Sequence, residues 1–421
     1  MKNILVFPCG SEIGLEVYKS LKHNIHFNLI GGNSVDDHGR FVYENYIGNL
    51  PFFTDPNFIE EIKTLVQVKQ IAAIYPTMDS VITLFKQNEK ELGCLVIAPS
   101  LSTTKICLSK RQTYLLFKNI MPTPVLYENI NEIEEYPIFL KPDIGYGSRG
   151  INKVENLAEL NFFLKKNHDL LMLEYLPGDE FTIDCFTNND REILFVGPRQ
   201  RKRISNGISV NTSTLKEKRV FENMAKTINE TMELNGSWFF QVKQRNDGTF
   251  VLMEIASRLA GSSSVYRIKG INFALLNIYN AFGVAVSIIE NDYEVELDRA
   301  LDNKYKFKIE YNYVYIDFDD TIIINGIVNT DMVSFLYKCI NENKKIHLLT
   351  KHLDDINESL KKYRLETVFD EIIQIKSSEK KADYIKYKNA IFIDDSFAER
   401  KDVMNKIGIN VFSVDQIQAL L

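Results

Sequence analysis

The chain has 421 residues, enough for roughly two to four domains. Its composition, 45% hydrophobic and 25% charged, is typical of a folded globular protein and excludes extensive disorder. The net charge of −6 provides no basic surface, so nucleic acid is excluded as an expected partner. Five cysteines without CxxC spacing favour a reducing, cytoplasmic setting over a disulfide-bonded or zinc-binding protein.

Residues 1–105 alternate apolar strands with amphipathic helices. The predicted strands are NILVFP, FNLIGG and IAAIYPT, and the predicted helices are GLEVYKSLKH and PNFIEEIKTLVQVK. This alternation predicts a parallel sheet covered by helices on its faces. The turn CGSEIG after the first strand is too degenerate to identify a dinucleotide-binding fingerprint.

Residues 106–305 combine long helices with antiparallel strand pairs. The clearest hairpin is FFQVKQRNDGTFVLMEIA, with its turn at 246–248. The stretch 270–289 carries no charge and is long enough to cross a bilayer. Because three asparagines interrupt it, we predict a buried helix followed by a strand, and no membrane partner.

A glycine-rich segment, YPIFLKPDIGYGSRGINKV, contains a GxGxxG pattern between two predicted strands. A dinucleotide-binding fingerprint would have a helix after the glycines, so this pattern suits a flap over phosphates instead. Lys141 precedes the loop and supplies a cation for the same phosphates. A plain hairpin with a surface lysine explains this segment alone equally well.

Acidic residues follow at positions that suit a nucleotide. In LMLEYLPGDEFTIDCF a strand leads into Glu174, Tyr175 and Leu176, a segment whose backbone can contact an adenine edge. Glu180 lies downstream, where it can accept hydrogen bonds from ribose hydroxyls.

The predicted hairpin places Gln241 on one strand and Glu254 on the other. Facing oxygen ligands on paired strands suit Mg²⁺. Arg258 follows on the second strand and is suited to a phosphate or a carboxylate. As isolated residues, Glu254 and Arg258 more often form a surface ion pair.

The order of these motifs resembles the ATP-grasp superfamily, and is most similar to its carbamoyl-phosphate-synthase-like branch of carboxylate–amine ligases. The resemblance implies that ATP, Mg²⁺ (with Mn²⁺ as an alternative), a small carboxylate and an amine bind, and that an acyl phosphate forms. It implies that the ATP contacts are Lys110, Lys141, Gly147, Ser148, Glu174, Tyr175, Leu176 and Glu180. It further implies that Gln241 and Glu254 bind metal, that Arg258 is catalytic, and that Arg199, in GPRQRKRISNGIS, contacts substrate.

The strand that carries Glu254 departs from the family pattern, Glu-x-Asn-x-Arg. The chain has Ala256 where the family has an asparagine that binds the second magnesium ion. Ala256 has no side-chain oxygen, so water or Ser257 must substitute, or one metal ion binds weakly. This departure keeps a kinase, which transfers phosphate to a small molecule without forming an amide, as an alternative function.

Residues 310–421 return to strand–helix alternation, and two predicted strands end in carboxylates. The strands are YVYIDF, KIHLLT, EIIQIK, AIFIDD and NVFSV, and the carboxylates are Asp317, Asp319, Asp320, Asp394 and Asp395. Ligands bind at the carboxyl ends of parallel strands, so this pattern favours a divalent cation with a phosphate. A pair of acidic surface turns is the alternative.

This set resembles the haloacid dehalogenase (HAD) superfamily over residues 313–421. The resemblance implies that Asp317 is a nucleophile forming an aspartyl-phosphate, that Asp319 is the general acid and base, and that Thr350 binds the phosphoryl group. It implies that Lys381 balances charge, with Lys376 and Lys380 as rivals, and that the Mg²⁺ ligands are Asp317, Asp319, Asp394 and Asp395. The motif spacing leaves no room for a cap domain; capless members of the superfamily are covered by a large substrate or by a neighbouring domain, and the ATP-grasp domain is the candidate neighbour here.

We therefore predict a multidomain α/β and α+β enzyme. Its expected parts are a pre-ATP-grasp parallel α/β domain (1–105), an ATP-grasp domain (106–305) and a HAD-like Rossmannoid phosphatase domain (310–421). The predicted activities are carboxylate–amine ligation and hydrolysis of a phosphorylated small molecule. A HAD-like docking module without catalysis is an alternative, and a homodimer is compatible with both resemblances.

Overall fold

The computed structural model describes residues 1–145, 150–205, 207–300 and 303–421. The N-terminal strands are β1 (Lys2–Phe7), β2 (Phe27–Gly32), β3 (Tyr46–Ile47), β4 (Ile71–Pro76) and β5 (Leu95–Val96). They form a parallel sheet of order β3-β2-β1-β4-β5. Its helices are α1 (Glu12–Leu21), α2 (Gly39–Val42), α3 (Phe58–Val68), α4 (Asp79–Gln87) and α5 (Glu89–Leu92). The parallel sheet predicted for residues 1–105 is confirmed.

Two helices, α6 (Leu101–Leu108) and α7 (Lys110–Phe117), lead into a small antiparallel sheet. Its strands are β6 (Leu126–Tyr127), β7 (Ile138–Pro142), β8 (Asn152–Val154) and β9 (Leu170–Glu174), in the order β6-β9-β7-β8, with α8 (Leu157–Lys166) between β8 and β9 along the chain. The glycine-rich segment joins β7 to β8, as predicted. Gly147 and Ser148 lie outside the described residues.

A large antiparallel sheet forms the rest of the central region. Its strands are β10 (Glu180–Thr187), β11 (Ile193–Ser205), β12 (Ile208–Thr214), β13 (Gly236–Gln244), β14 (Phe250–Ala256), β15 (Glu296–Arg299) and β16 (Asn303–Lys306). The strand order is β14-β13-β10-β11-β12-β15-β16. The amphipathic helix α9 (Arg219–Thr231) packs its apolar face against Trp238 and its neighbours. The predicted hairpin is confirmed, and Gln241 lies directly opposite Glu254.

The uncharged stretch 270–289 contains one buried helix. Helices α10 (Ser264–Ile268) and α11 (Phe273–Ala281) lie before and within it. The strand predicted after the helix is wrong, because residues 284–290 form neither helix nor strand. Their apolar side chains Val286 and Ile288 instead pack against the core without a neighbouring strand to pair with. Within the described residues, no helix combines the length and apolar character needed to span a membrane.

The C-terminal region is a second parallel sheet with the order β21-β20-β17-β22-β23. Its elements are β17 (Tyr313–Ile316), β18 (Ile323–Ile324), β19 (Ile327–Val328), α12 (Thr330–Asn341), β20 (Lys345–Thr350), α13 (Ile356–Tyr363), β21 (Glu371–Gln374), β22 (Ala390–Ile393), α14 (Phe397–Ile407), β23 (Asn410–Phe412) and α15 (Ile417–Leu420). The fully described stretch from 321 to 350 holds only the small hairpin β18–β19 and α12 before β20. No cap domain is inserted there.

The three regions share one hydrophobic core. Val17 of α1, Ile278 of α11 and Phe335 of α12 belong to the same continuous cluster of buried side chains. The C-terminal sheet is therefore packed against the rest of the chain and is not tethered by a flexible linker. The domain limits inferred from the sequence stay a prediction.

A buried asparagine protects the edge of the C-terminal sheet. Asn291 Nδ2 donates to the Val411 carbonyl oxygen at 2.9 Å, and the Val411 N–H donates to Asn291 Oδ1 at 3.2 Å. The amide thus replaces a neighbouring strand for the outward-facing backbone groups of β23.

We expect Asn291→Leu to lower the free energy of unfolding by about 1–3 kcal/mol, because it leaves two buried backbone groups without partners. Denaturation with urea, followed by fluorescence, measures this change. Asn357→Ala is the matched control at an exposed position of α13 and should change stability by less than about 0.5 kcal/mol. Equal stability of Asn291→Leu and the wild type would contradict this role.

Candidate functional site

A cavity of about 640 Å³ lies between the N-terminal region and the two central sheets. Every ATP-grasp site residue predicted from the sequence lines it, except the two that lie outside the described residues. These ten residues are Lys110, Lys141, Glu174, Tyr175, Leu176, Glu180, Arg199, Gln241, Glu254 and Arg258. They span about 150 positions of the chain, and the fold brings them to one place.

Two lysines reach this cavity from different elements. Lys141 on β7 is buried, and its Nζ donates to the Met253 carbonyl oxygen at 3.3 Å. Burial lowers the pKa of Lys141 to about 8, although the nearby Glu254 carboxylate opposes the shift. Lys110 is the first residue of α7, and its Nζ donates to the Asp143 carbonyl oxygen at 3.0 Å.

Asp143 fixes the start of α7 to the glycine-rich segment, a role that the sequence reasoning missed. Its carboxylate accepts hydrogen bonds from Ser109 Oγ at 2.9 Å and from the Arg111 N–H at 2.7 Å. Lys110, at the N-terminus of α7, is therefore held close to the strand that carries Lys141. The only sequence signal for this contact is that Asp143 follows Lys141 by two positions.

The acidic residues predicted to contact adenosine already have partners. The Glu174 carboxylate accepts from Arg245 Nε at 2.6 Å and Nη2 at 2.8 Å. Arg201 Nε lies 3.0 Å from Glu180 Oε1. Glu174 therefore holds β9 to the loop after β13, and the segment that ends in Leu176 borders the cavity beside it.

Gln241 and Glu254 bring two oxygen donors to the cavity from paired positions of β13 and β14. Oxygen donors of this kind fit Mg²⁺. Ala256 also borders the cavity, but Ser257 lines a separate cavity of about 170 Å³. Ser257, the first residue after β14, thus lies at a different cavity from Gln241 and Glu254.

The guanidinium of Arg258 is bound to the N-terminal region. Its Nε and Nη2 donate to the two carboxylate oxygens of Asp79 at 2.9 and 2.8 Å, and its Nη1 donates to the Leu259 carbonyl oxygen at 3.2 Å. The residue predicted to be catalytic thus forms a two-point ion pair between the segment after β14 and the start of α4, at the wall of the cavity.

Arg199 carries an unpaired nitrogen into the cavity wall. Its Nε donates to Asp184 Oδ2 at 2.7 Å, and both side chains are only 2% exposed. Among the described residues, the buried Nη1 of Arg199 has no hydrogen-bond partner. Arg201, two positions along β11, lines the same cavity and was missed by the sequence reasoning. The period-2 spacing of the two arginines on a strand was the available signal.

A second cluster lies at the carboxyl end of the C-terminal sheet. Carboxylate oxygens of Asp317, Asp394 and Asp395 lie within 4.8 Å of one another. Lys381 Nζ lies 2.7 Å from Asp317 Oδ1 and 2.6 Å from Asp394 Oδ2. Burial raises the pKa values of Asp317 and Asp394 above that of an ordinary aspartate, although Lys381 opposes the shift. Three oxygens this close, two of them buried, fit a divalent cation.

Of the three candidate lysines, the structure brings Lys381 to the carboxylates, whereas Lys376 and Lys380 are exposed. Thr350 is fully buried at the end of β20, and its Oγ1 accepts from the backbone N–H of His352 at 3.1 Å. The carboxylate of Asp319 is not part of the three-carboxylate cluster. It contacts the His352 ring instead, with Nδ1 at 2.9 Å from Oδ2.

The loop after β22 is held by a residue that the sequence did not indicate. Arg400 Nη1 donates to the carbonyl oxygens of Asp394 and Asp395, both at 2.6 Å. The Asp395 N–H donates to Thr321 Oγ1 at 3.1 Å, which joins this loop to the one after β17. Arg400 and Thr321 therefore fix the two acidic strand ends relative to each other.

Two sequence comparisons each match a part of the chain. Residues 166–303 match the family model described as "ATP-grasp in the biosynthetic pathway with Ter operon". A D-alanine–D-alanine ligase from Petrotoga mobilis is 33% identical over 88 residues, which are 19% of this chain and 30% of the ligase. The chain thus spans less than a third of the curated relative it matches.

Solved structures are similar over a longer range. The biotin carboxylase domain of 2-oxoglutarate carboxylase from Hydrogenobacter thermophilus, solved with MgADP, ADP and bicarbonate, has a TM-score of 0.60 at 17% identity and covers 71% of this chain and 74% of its own. L-amino acid ligase from Bacillus licheniformis has a TM-score of 0.56 at 15% identity and covers 71% and 79%. Likenesses at this level of identity show the fold.

Proposed function

Starting from its ATP-grasp fold, we propose that this chain is an ATP-dependent carboxylate–amine ligase that works through an acyl phosphate. The observation that carries the proposal is the convergence of ten sequence-predicted residues on one cavity. The ligase names of two similar proteins support the same reaction class.

In this proposal the cations of the cavity bind the phosphates of ATP. Lys141 and Lys110 stand beside the glycine-rich segment and offset the negative charge that gathers during phosphoryl transfer. Gln241 and Glu254 would hold Mg²⁺, which supplies further neutralisation of phosphate charge. The free Nη1 of Arg199 supports an anionic acceptor, because a carboxylate would give this buried nitrogen a partner.

The acyl phosphate forms when a carboxylate oxygen of the substrate attacks the γ-phosphorus and ADP leaves. The amine then attacks the acyl carbon, inorganic phosphate leaves and an amide remains. The chain contributes orientation and a site partly shielded from water, which together account for most of the acceleration expected in such reactions.

We expect ATP affinity to fall at alkaline pH because of Lys141. With a pKa of about 8, Lys141 loses its proton in the free protein above that pH, and a neutral amine no longer attracts phosphate. The dissociation constant for ATP should rise by about tenfold between pH 8.5 and 9.5. Isothermal titration calorimetry measures it.

Lys141→Arg is the matched control, since a guanidinium keeps its charge throughout this range. Its affinity for ATP should stay constant with pH. A loss of affinity that is as steep in Lys141→Arg as in the wild type would assign the effect to another group.

ADP release tests the ligase itself. We expect Mg²⁺-dependent ADP formation that requires one carboxylate and rises with one amine, measured against pooled amino acids and small carboxylates. Asp317→Asn serves as the background, to silence hydrolysis of phosphorylated products, and Glu254→Gln should reduce ADP formation by at least about a hundredfold.

Two outcomes would contradict the ligase. A stable phosphorylated product without any amine would identify a kinase. Tight ATP binding without ADP release from any pool would mean that the alanine at position 256 has removed an essential metal contact.

We propose a Mg²⁺-dependent phosphatase as a second activity, carried by the C-terminal cluster. The supporting observation is that Lys381 joins Asp317 and Asp394 while Asp395 completes a set of three close carboxylates. Bound Mg²⁺ would offset charge between these carboxylates and a phosphate. Asp317 would attack phosphorus to give an aspartyl-phosphate, which water then hydrolyses.

We expect Asp317→Asn to lower the hydrolysis of p-nitrophenyl phosphate by at least about a thousandfold, because the nucleophile is lost. Asp320→Asn is the matched control. Asp320 has a positive φ of 53°, which asparagine tolerates, and its carboxylate is outside the cluster.

ATP-dependent ligation should survive in Asp317→Asn, since the two sites use separate residues. Full phosphatase activity in Asp317→Asn would exclude this residue as nucleophile. A wild-type chain without hydrolysis would favour a C-terminal region that serves as a docking module.

A further inference from the structure

We propose that His352 is a positioning residue for Asp319, the general acid of the phosphatase site; this inference rests on the phosphatase function proposed above. The ring Nδ1 lies 3.0 Å from Asp319 Oδ1 and 2.9 Å from Oδ2. On the other side of the ring, Nε2 lies 2.8 Å from Ser359 Oγ. Ser359, His352 and Asp319 thus form a hydrogen-bonded row that ends at the carboxylate.

The chemistry of the partners fixes the direction of this row. The carboxylate form of Asp319, which remains after the acid has given up its proton, only accepts hydrogen bonds, so Nδ1 carries the proton and donates to it. In the neutral ring, Nε2 then accepts from the Ser359 hydroxyl. The carboxylate therefore selects the tautomer that presents an N–H to it, and the Ser359 hydroxyl gives the other ring nitrogen a partner.

The ring and the backbone of His352 are held in place by three further contacts. Phe318 packs edge-on against it, with ring centroids 5.1 Å apart. The His352 N–H donates to Thr350 Oγ1, and the His352 carbonyl oxygen accepts from Gln374 Nε2 at 2.8 Å. The segment that positions Asp319 is thus tied to the threonine expected to bind the phosphoryl group.

Asp319 needs such support because 51% of its side chain is exposed. A half-exposed carboxyl group samples several rotamers, and holding one of them costs conformational entropy. A fixed N–H donor on one side of the Asp319 carboxyl group orients that group. Its remaining lone pairs, or its acidic proton, then point toward the solvent-exposed side. Correct orientation of the acid is a condition for efficient proton transfer.

The proposed step balances in protons and electron pairs. A carboxylate oxygen of Asp317 attacks phosphorus, the bond from phosphorus to the leaving oxygen breaks, and the carboxyl proton of Asp319 passes to that oxygen. Asp319 is left as a carboxylate that accepts the N–H of His352. In the second step water attacks the aspartyl-phosphate, its proton passes to Asp319, and Asp317 and inorganic phosphate are released.

The test compares two phosphate esters on the full chain with Mg²⁺. p-Nitrophenolate leaves readily without a proton, whereas the alkoxide of glycerol 2-phosphate requires one. The ratio kcat/KM reports the first irreversible step, in which the ester bond breaks. We expect His352→Ala to lower kcat/KM by at least ~10-fold for glycerol 2-phosphate and by less than ~3-fold for p-nitrophenyl phosphate. The difference arises because a misplaced acid slows only the reaction whose leaving group needs a proton.

Two matched variants separate hydrogen bonding from packing. His352→Phe keeps a ring against Phe318 but has no N–H, so it should behave as His352→Ala does. His352→Asn can place an amide N–H near the position of Nδ1, and it should recover most of the loss with glycerol 2-phosphate. Thermal unfolding of each variant verifies that the chain is folded.

The outcomes separate the two proposals. Equal losses with both esters, wild-type behaviour of His352→Phe, or no loss in His352→Ala would overturn the positioning role while leaving the phosphatase intact. A wild-type chain that hydrolyses neither ester would overturn the phosphatase and, with it, this role. Selective loss with glycerol 2-phosphate and rescue by His352→Asn would establish it.

Discussion

The buried guanidinium of Arg267 joins the three regions of the chain. Its Nε donates to Glu16 Oε1 of α1 at 2.7 Å, and its Nη1 donates to the Asp415 carbonyl oxygen, near the C-terminus, at 2.6 Å. A buried charge without a partner is strongly destabilising, so these contacts restrict how the regions can pack. The first turn of α1 lines the large cavity, and its C-terminal end contacts α12 of the C-terminal region through Lys22 and Asp331.

The two proposed sites differ in the charges that a phosphate would meet. In the large cavity, the buried cations Lys141 and Arg199 face the place where phosphates or a carboxylate would bind, and acidic neighbours offset part of their charge. In the C-terminal cluster, three carboxylates lie close together beside the buried Lys381, and a divalent cation would offset part of their charge toward a phosphate. The two arrangements therefore differ in how much phosphate charge the side chains of the chain itself could offset.

The fully described stretch between β17 and β20 contains no inserted cap, so the surroundings of the C-terminal site come from the other parts of the fold. An open phosphatase site depends on its surroundings to limit access of water and of unsuitable substrates. Here α12, which follows the hairpin beside the acidic loop, is held against the end of α1 by the ion pair of Lys22 with Asp331 at 2.9 Å. The N-terminal region thus packs against the first helix of the C-terminal region.

The sequence by itself determined the alternation of strands and helices, the pairing of Gln241 with Glu254 across a hairpin, and the carboxylates at two strand ends. These features follow from local periodicity and turn chemistry, which act over a few residues. Only the tertiary structure decided that Arg258 binds Asp79, 179 positions away, and that the His352 ring faces Asp319. Such contacts depend on how whole helices and strands pack against each other. The sequence around a charged side chain does not indicate which distant opposite charge it will contact.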